Sequence, residues 1–222
     1  RSGKVPVTPA DMNSGGWGGL FQLLDWDSNV LWQFQYSDDQ VQQHHDVEML
    51  PSGNVLVLAW EMKSAAEAIA AGRNPSLLNN DQLWPDHIVE VAQTGPSSGE
   101  IVWQWHAWDH LIQDFDPTQQ NFGVVADHPE LADINAIGNQ GSDWLHGNSV
   151  DYHPELDQIV ISARAINEIW VIDHSTTTSE ASGHSGGVQG MGGDLLYRWG
   201  NPQNYDSGLA ADRWLYGQHC VE

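Results

Sequence analysis

The stretch Glu100-Ile-Val-Trp-Gln-Trp105 decides the fold, together with His146-Gly-Asn-Ser-Val-Asp151, which follows it after a loop. The same order, an aromatic-rich strand and then a segment that opens on histidine, occurs twice more: Asn29-Val-Leu-Trp-Gln-Phe34 before His45-Asp-Val-Glu48, and Asp194-Leu-Leu-Tyr-Arg-Trp199 before His219-Cys-Val-Glu222. Similar units that recur along a chain are typical of radially repeated folds. We therefore predict an all-β protein, a β-propeller.

Short apolar runs separated by Gly, Pro, Asn and Asp predict strands over residues 20–25, 30–34, 47–50, 55–60, 88–93, 101–105, 148–152, 159–164, 168–173 and 195–199. Turn residues at Pro51-Ser-Gly-Asn54 and Pro154-Glu-Leu-Asp157 join neighbouring runs into antiparallel meanders. Short helical insertions are predicted over 64–71 and from Asp127-His-Pro-Glu130 to near Gly138. The Gly- and Ser-rich residues 176–193 predict a long loop.

A propeller closes with about four to eight blades of four strands each. The recurring pattern supplies roughly three blades or a little more. We therefore expect residues 1–222 to be part of a single propeller domain, an incomplete chain whose C-terminal blades are missing.

The net charge of the chain makes anionic partners improbable. Thirty acidic residues against seven basic ones give a formal net charge of -23, which repels nucleic acids and anionic membrane surfaces. The single cysteine, Cys220, cannot form an internal disulfide. The chain opens on Arg1 and carries no targeting signal and no apolar run of membrane-spanning length.

The candidate site comes from the register of the histidine segments. Aligning these segments on a shared Val-[Asp/Glu] pair places three valines in register: Val47, Val150 and Val221. His45, Asn148 and His219 then occupy one equivalent position, two residues before the valine. His146 lies two residues before Asn148, and residues i and i+2 of a strand share a face.

If these strands line a central channel, the candidate side chains converge at its mouth. Arg164 follows the apolar run 159–163 and supplies a guanidinium, which matches oxyanions bidentately. Histidines in this arrangement are candidates for nucleophilic or acid–base catalysis.

Most other aromatic and histidine side chains are predicted to be structural. The histidines without support from the register are His44, His87, His106, His110, His128, His153, His174 and His184. Trp32, Trp103, Trp105 and Trp199 are predicted to pack between blades. His106-x-x-x-His110 matches a zinc spacing formally but lacks a nearby glutamate base, so no metal site is predicted.

The chain resembles the arylsulfotransferase family, the bacterial arylsulfate sulfotransferases, which are six-bladed β-propellers. The motifs that carry the resemblance are His45-Asp-Val-Glu-Met-Leu-Pro-Ser-Gly-Asn54, Trp144-Leu-His-Gly-Asn-Ser149 followed by Arg164, Gly193-Asp-Leu-Leu-Tyr-Arg-Trp-Gly-Asn-Pro202, and Gly217-Gln-His219. They extend from the first quarter of the chain to its end.

The resemblance implies transfer of a sulfuryl group from a phenolic sulfate ester to a phenolic acceptor through a sulfohistidine. On the matching positions, His219 is the implied nucleophile, and the residues implied to hold sulfuryl oxygens or manage protons are His45, His146, Asn148 and Arg164. The resemblance also implies a periplasmic or secreted protein without a cofactor. No phosphate-cradling Gly-rich loop precedes a helix, so a nucleotide sulfate donor is not implied.

A second function class remains open. A non-catalytic propeller that binds small ligands or protein partners through its channel face would share the same architecture. Covalent modification of His219 distinguishes the two, because only the sulfotransferase forms a sulfohistidine.

Overall fold

The computed structural model describes residues 2–4, 15–78, 80–136 and 141–221. Within them the strands, in chain order, are β1 (Ser2–Lys4), β2 (Gly19–Leu24), β3 (Val30–Gln35), β4 (Val41–Met49), β5 (Val55–Glu61), β6 (Lys63–Ser64), β7 (Gln82–Leu83), β8 (Asp86–Gly95), β9 (Ser98–His106), β10 (Leu111–Ile112), β11 (Ala132–Asp133), β12 (Gly147–His153), β13 (Gln158–Ala163), β14 (Glu168–Asp173) and β15 (Tyr197–Trp199). The protein is all-β with few helices, as predicted.

Helical structure is short. The α-helices are α1 (Ala65–Ala70) and α2 (Thr178–Ala181), and 3₁₀ turns occur at Pro75–Leu77, Ala107–Asp109, Val125–Asp127, Arg164–Ile166, Pro202–Tyr205 and Ala210–Asp212. Among the described residues, no helix is long and apolar enough to cross a membrane.

The larger sheets are antiparallel meanders that follow one another along the chain. Their strand orders are β1-β2-β3, β4-β5-β8-β9 and β12-β13-β14-β15. All ten strands predicted from sequence overlap an observed strand. Each aromatic run forms the last strand of its sheet, whereas the segments of His45 and His146 lie in or directly before the first strand of the next sheet. The recurrence in the sequence therefore marks the passage from one sheet to the next.

The second of these sheets is packed on both faces. Strand β5 is apolar and buried along nearly its whole length, so both sets of alternating side chains enter a core. Val55 and Val57 join a cluster with Phe21 and Trp32 of the first sheet. The intervening residues of β5, Leu56 and Leu58, join a cluster that includes Val150, Ile159 and Ile161 of the third sheet. Each such side chain contributes roughly 1.5–3 kcal/mol by leaving water.

Three of the four tryptophans predicted to pack between sheets do so. Trp32, Trp103 and Trp105 are buried, but the prediction for Trp199 is wrong because that side chain is 39% exposed. Along β15 the inward position belongs to Arg198. Its guanidinium donates from Nε and Nη2 to the two carboxylate oxygens of Glu168, each at 2.9 Å. Alternation then directs Trp199 outward.

The first predicted helical insertion is confirmed and the second is wrong. Helix α1 begins after Ser64, whose side chain and that of Glu67 form a capping box. After Asp127, in contrast, the chain forms β11, which pairs in parallel with β10. The N–H of Ala132 donates to His110 O at 2.8 Å, so this backbone is already paired outside any helix. Gly138, the predicted helix end, lies outside the described residues.

The stretch 176–193 is only partly the loop that its composition predicts. Thr177 and Glu180 form a second capping box, which starts α2. After α2 the backbone is irregular but bonded to its surroundings. The N–H of Gln189 donates to Asp173 Oδ2 at 2.9 Å, and that of Val188 donates to Ser175 Oγ at 2.7 Å.

His174 links the second and third sheets at their boundary. Its Nδ1 lies 2.7 Å from Oδ1 of Asp157, in the turn after β12, and its Nε2 lies 3.2 Å from Oε2 of Glu90 in β8. Burial by itself would lower the pKa of His174, but hydrogen bonds to Glu90 and Asp157 outweigh it and raise the pKa above its ordinary value. These contacts to Glu90 and Asp157 therefore favour the imidazolium form of His174.

This link makes stability depend on pH. Because the folded-state pKa of His174 is raised, its stabilisation is complete below the unfolded pKa of about 6.5 and is lost as pH rises through the folded pKa. We expect the difference in unfolding free energy between the natural protein and His174→Gln to be larger at about pH 6 than at about pH 9. Urea unfolding at the two pH values measures it.

His153→Gln is the matched control, because His153 is exposed at the end of β12. Because the side chain is exposed, this substitution should change the unfolding free energy little at either pH. A pH-independent difference for His174→Gln would show that His174 does not act as an imidazolium.

Candidate functional site

Strands β4 and β12 lie side by side as the first strands of their sheets, and both are bulged where the histidines occur. Pairing of β4 with β5 is irregular between Gln43 and Val47. Pairing of β12 with β13 is irregular between Gly147 and Val150. Val47 and Val150 thus each resume the pairing directly after a bulge, which agrees with the register used to align the segments. Bulges re-aim side chains and are frequent beside active sites.

The backbone at two candidate residues is left-handed. The φ angles of His45 and His146 are 49° and 50°, a region that residues other than glycine seldom adopt. The prediction that His146 and Asn148 share a strand face by simple alternation is therefore wrong, because His146 precedes β12 and a bulge follows it. His45 also does not open its strand, since β4 begins at Val41.

Left-handed backbone and bulges together bring the imidazole rings into contact. The ring centroids of His45 and His146 lie 4.6 Å apart in an edge-to-face arrangement. Behind them, His44 stacks on Trp60 at 3.8 Å, and its Nδ1 lies 2.9 Å from Nδ1 of His45. His44 is fully buried, so it supports the ring of His45 from the protein interior.

Carboxylates fix this cluster. Asp143 accepts a hydrogen bond from Nδ1 of His146, which directs the other ring nitrogen of His146 away from Asp143. Asp86 Oδ1 accepts from the N–H of Gly147 at 3.0 Å and lies 3.0 Å from Nε2 of His44. Asp46 Oδ2 accepts from the N–H of Val150 at 3.1 Å. Asp86 and Asp46, which belong to the second sheet, thus join it to the third sheet.

Burial keeps part of the cluster uncharged. Burial is the largest cause that lowers the pKa of His45 to about 3, and the nearby charges of His44, His146 and His219 lower it further, whereas Asp143 opposes them. Burial also lowers the pKa of His44 to about 3 and raises that of Asp86. His45 is therefore a neutral imidazole near pH 7, able to donate one hydrogen bond and accept another.

The segment that carries His219 is exposed and irregular. The prediction of a strand opening at His219 is wrong for the described residues 217–221. Cys220 has a left-handed φ of 56°, and the backbone bonds to side chains of the third sheet instead of to a strand. Asn148 Nδ2 donates to Gln218 O at 2.8 Å, and the N–H of Val221 donates to Ser149 Oγ at 2.9 Å.

The hydrogen bond of His219 selects its tautomer. Its Nδ1 lies 3.2 Å from the carbonyl oxygen of Gly217. A carbonyl only accepts, so Nδ1 carries the proton, and Nε2 of the neutral ring presents a lone pair. The side chain is exposed, which leaves Nε2 accessible to a ligand.

Arg164 lies beside the same segment. It directly follows Ala163, which pairs with Gly147, and the N–H of Ala165 donates to Leu145 O at 2.9 Å, so the backbone of Arg164 lies beside that of His146 just beyond the ends of β12 and β13. A Cβ atom placed on Gly217 would lie 3.9 Å from Nη2 of Arg164. Among the described residues, neither the buried Nε of Arg164 nor the buried Oδ1 of Asn148 has a hydrogen-bond partner. Such groups mark a position where a ligand would complete the bonding.

The structure thus brings the five predicted site residues into one region: His45, His146, Asn148, Arg164 and His219. The sequence did not identify three supporting residues: His44, Asp86 and Asp143. Asp143 lies three residues before His146, and Asp86 lies at the edge of an apolar run. These signals are weak, because acids are frequent throughout this chain.

Although histidines and acids gather in this region, no three of their ligand atoms in the described part of the chain meet the distances for a metal site. Over the described ranges, the only group of three or more that meets the distances for a metal site is His110, His184 and Asp194, which lies elsewhere. The geometry around His219 instead suits an anion, with a guanidinium, an amide and imidazoles around an accessible ring nitrogen.

Comparison with known proteins gives one result. A family model described as arylsulfotransferase (ASST) matches residues 29–221. Neither the curated proteins nor the solved structures contain a significant match to the chain. The matched range includes all five residues of the candidate site.

Proposed function

The chain belongs to the arylsulfotransferase family, which matches residues 29–221, and we propose that it transfers sulfuryl groups between phenols through a sulfohistidine at His219. The family supports a sulfotransferase that acts on small aryl donors and acceptors. The donor that we propose is a phenolic sulfate ester, not a nucleotide sulfate, and the acceptor is a second phenol.

One observation carries this proposal. The accessible Nε2 of His219 lies in a segment that Asn148 bonds and that passes beside Arg164, and within the described ranges both of those side chains have a buried polar atom without a hydrogen-bond partner. The chain has a net charge of -23 and seven basic residues, so a guanidinium at this position favours binding of an anion there. A sulfuryl group has the oxygens that a guanidinium pairs with.

The first half-reaction uses these groups in the following way. Nε2 of His219 attacks the sulfur of the phenolic sulfate and forms an N–S bond while the ester S–O bond breaks, so the electron pair leaves with the phenolate. Arg164 and the neighbouring polar groups stabilise charge on the non-bridging oxygens, as in phosphoryl transfer. Phenolate is a good leaving group, and His146, whose Nδ1 bonds to Asp143, can supply a proton to it.

The second half-reaction returns the site to its starting state. The acceptor phenol loses its proton to the same imidazole, its oxygen attacks the sulfur, and the N–S bond breaks. His45 remains neutral because its pKa lies near 3, so it places no second positive charge beside Arg164. We assign His45 the role of a positioning residue, which forms hydrogen bonds in the site next to His146.

The architecture we propose is a six-bladed β-propeller in which the successive sheets are blades. The two complete four-stranded meanders, the packing of the second sheet on both faces and the adjacent first strands support it. A crystal structure would test the blade number. We also propose a periplasmic or secreted location, supported by family membership and the acidic surface, which cell fractionation would test.

The proposal predicts acceptor-dependent turnover that requires His219. The full-length protein should release nitrophenol from nitrophenyl sulfate when phenol is added, and His219→Ala should lower the rate by roughly 1,000-fold or more, because the N–S intermediate cannot form. Absorbance of nitrophenolate measures the rate.

His153→Ala, an exposed histidine outside the site, serves as the control and should keep the full rate. Undiminished turnover by His219→Ala would overturn the nucleophile assignment. Inactivity of the natural protein with several phenols, together with binding of another ligand or protein at this face, would favour a non-catalytic propeller.

Gly16 provides a test of His45 that leaves the imidazole in the chain. The N–H of His45 donates to Gly16 O at 2.6 Å, Gly16 has a φ of 83°, and a Cβ atom at Gly16 would overlap the His45 ring. We expect Gly16→Ala to displace the ring and to lower turnover by roughly ten-fold or more, the effect of a misplaced site group.

Gly15→Ala is the matched control, because a Cβ atom at Gly15 has no neighbour within 4 Å. It should leave turnover unchanged, and thermal melts of both variants separate loss of activity from loss of folding. Equal turnover of the two variants would contradict a role for the His45 ring position.

A further inference from the structure

A second cluster of histidines lies apart from the proposed sulfotransfer site. His110 follows the 3₁₀ turn after β9, His184 lies in the loop after α2, and Asp194 ends that loop. Nδ1 of His110 and Nδ1 of His184 lie 2.7 and 2.8 Å from the same carboxylate oxygen, Oδ1 of Asp194. The three ligand atoms all lie within 4.8 Å of one another.

The surroundings of His110 fix the direction of its ring. Its side chain is 1% exposed and stacks on Trp105, with the ring planes 5° from parallel. Its Nε2 lies 2.9 Å from the carbonyl oxygen of Ala181, which can only accept, so Nε2 carries a proton. With Nε2 bonded in this way, Nδ1 is the ring nitrogen that faces Asp194. Metal-bound histidines show this arrangement, with the second ring nitrogen donating to a carbonyl.

Gly193 permits this ring position. A Cβ atom at residue 193 would lie 2.6 Å from Nε2 of His110, so a larger residue would push the ring out of place. The carbonyl of Gly193 also accepts from Nε1 of Trp105 at 2.7 Å, which ties the end of the loop to β9. One side of the cluster is thus rigid and buried.

The other side is open. The side chain of His184 is 62% exposed, whereas that of Asp194 is 8% exposed. An exposed imidazole can rotate to accommodate an ion, and the solvent side leaves room for a water ligand. One carboxylate oxygen facing two ring nitrogens needs a cation between them, either a proton on a ring or a metal ion.

We propose that His110, His184 and Asp194 bind a divalent transition metal ion, with Zn²⁺ as the expected ion. Two imidazole nitrogens and a carboxylate, with water as a fourth ligand, are a donor set that Zn²⁺ accepts. Zinc bonds of about 2.0–2.2 Å require donors roughly 3.3 Å apart, so the two short N–O distances open slightly on binding. The ion replaces the protons held on the Nδ1 atoms, so binding releases protons.

The ion would clip the loop after α2 to the segment after β9. His184 is the ligand that the loop itself contributes, and Asp194 lies at the point where the loop enters the strand region. Its role is structural, and it adds nothing to the sulfotransfer steps. Its binding therefore does not depend on the proposed function.

Zinc binding to protein first freed of metal with a chelator tests the proposal. Isothermal titration calorimetry in two buffers of different ionisation enthalpy should give one Zn²⁺ per chain at this site, with proton release. His184→Ala should weaken this binding at least ten-fold, and Co²⁺ should show d–d absorption that the variant lacks. Zn²⁺ should raise the melting temperature of the natural protein by several degrees but not that of the variant.

His128→Ala is the matched control, because His128 is an exposed histidine that also contacts a carboxylate, Glu130. It should bind Zn²⁺ as the natural protein does. Absence of Zn²⁺ binding by the natural protein would overturn the proposal. Equal binding by the natural protein and His184→Ala would overturn it as well, since the ion would then lie at other histidines.

Discussion

Two carboxyl groups, one buried and one half-buried, hold the second and third sheets together at the point where the candidate site is built. Asp86 bonds to the N–H of Gly147, and Asp46 bonds to the N–H of Val150, so both reach across to β12. These N–H groups flank the bulge of β12, where ordinary strand pairing is interrupted. A buried N–H left without an acceptor costs about 1–3 kcal/mol. The bulge, and with it the direction of the neighbouring side chains, depends on these bonds.

The same region combines exclusion of water with an exposed reactive group. Behind the site, His44 stacks on Trp60 and is fully buried, and burial lowers the pKa of both His44 and His45 to about 3. In front of it, His219 is exposed in a segment that Asn148 holds by its backbone. Arg164 is then the cationic side chain beside an accessible imidazole. This division suits transfer of an anionic group to and from a ring nitrogen.

The sequence predicted the meanders and the order of the strands, because alternating apolar residues and recurring motifs are local signals. It also nominated five candidate site residues, which the structure places in one region. It did not predict how the site is assembled. The alternation of side chains along a strand predicts that His146 and Asn148 lie on one face. In the structure, the left-handed backbone of His146 and the bulge after it depend on contacts with Asp86 and Asp143. Asp86 is distant in the sequence, and neither acid stands out in a chain rich in acidic residues. His110 and His184 are predicted to be structural because the register of the repeated segments does not support them, and 74 residues separate the two. Asp194 brings them together only in the folded chain.

The central claim is that His219 carries the sulfuryl group covalently. The most direct measurement is mass spectrometry of peptides from the full-length protein after brief exposure to a phenolic sulfate without an acceptor. A sulfohistidine at His219 predicts that the mass of the peptide containing His219 increases by one SO₃ and that this increase is lost when a phenol is added. The same peptide of His219→Ala should show no increase. Transfer of sulfate to a phenol without this modification, or with the SO₃ on a different residue, would contradict a covalent intermediate at His219.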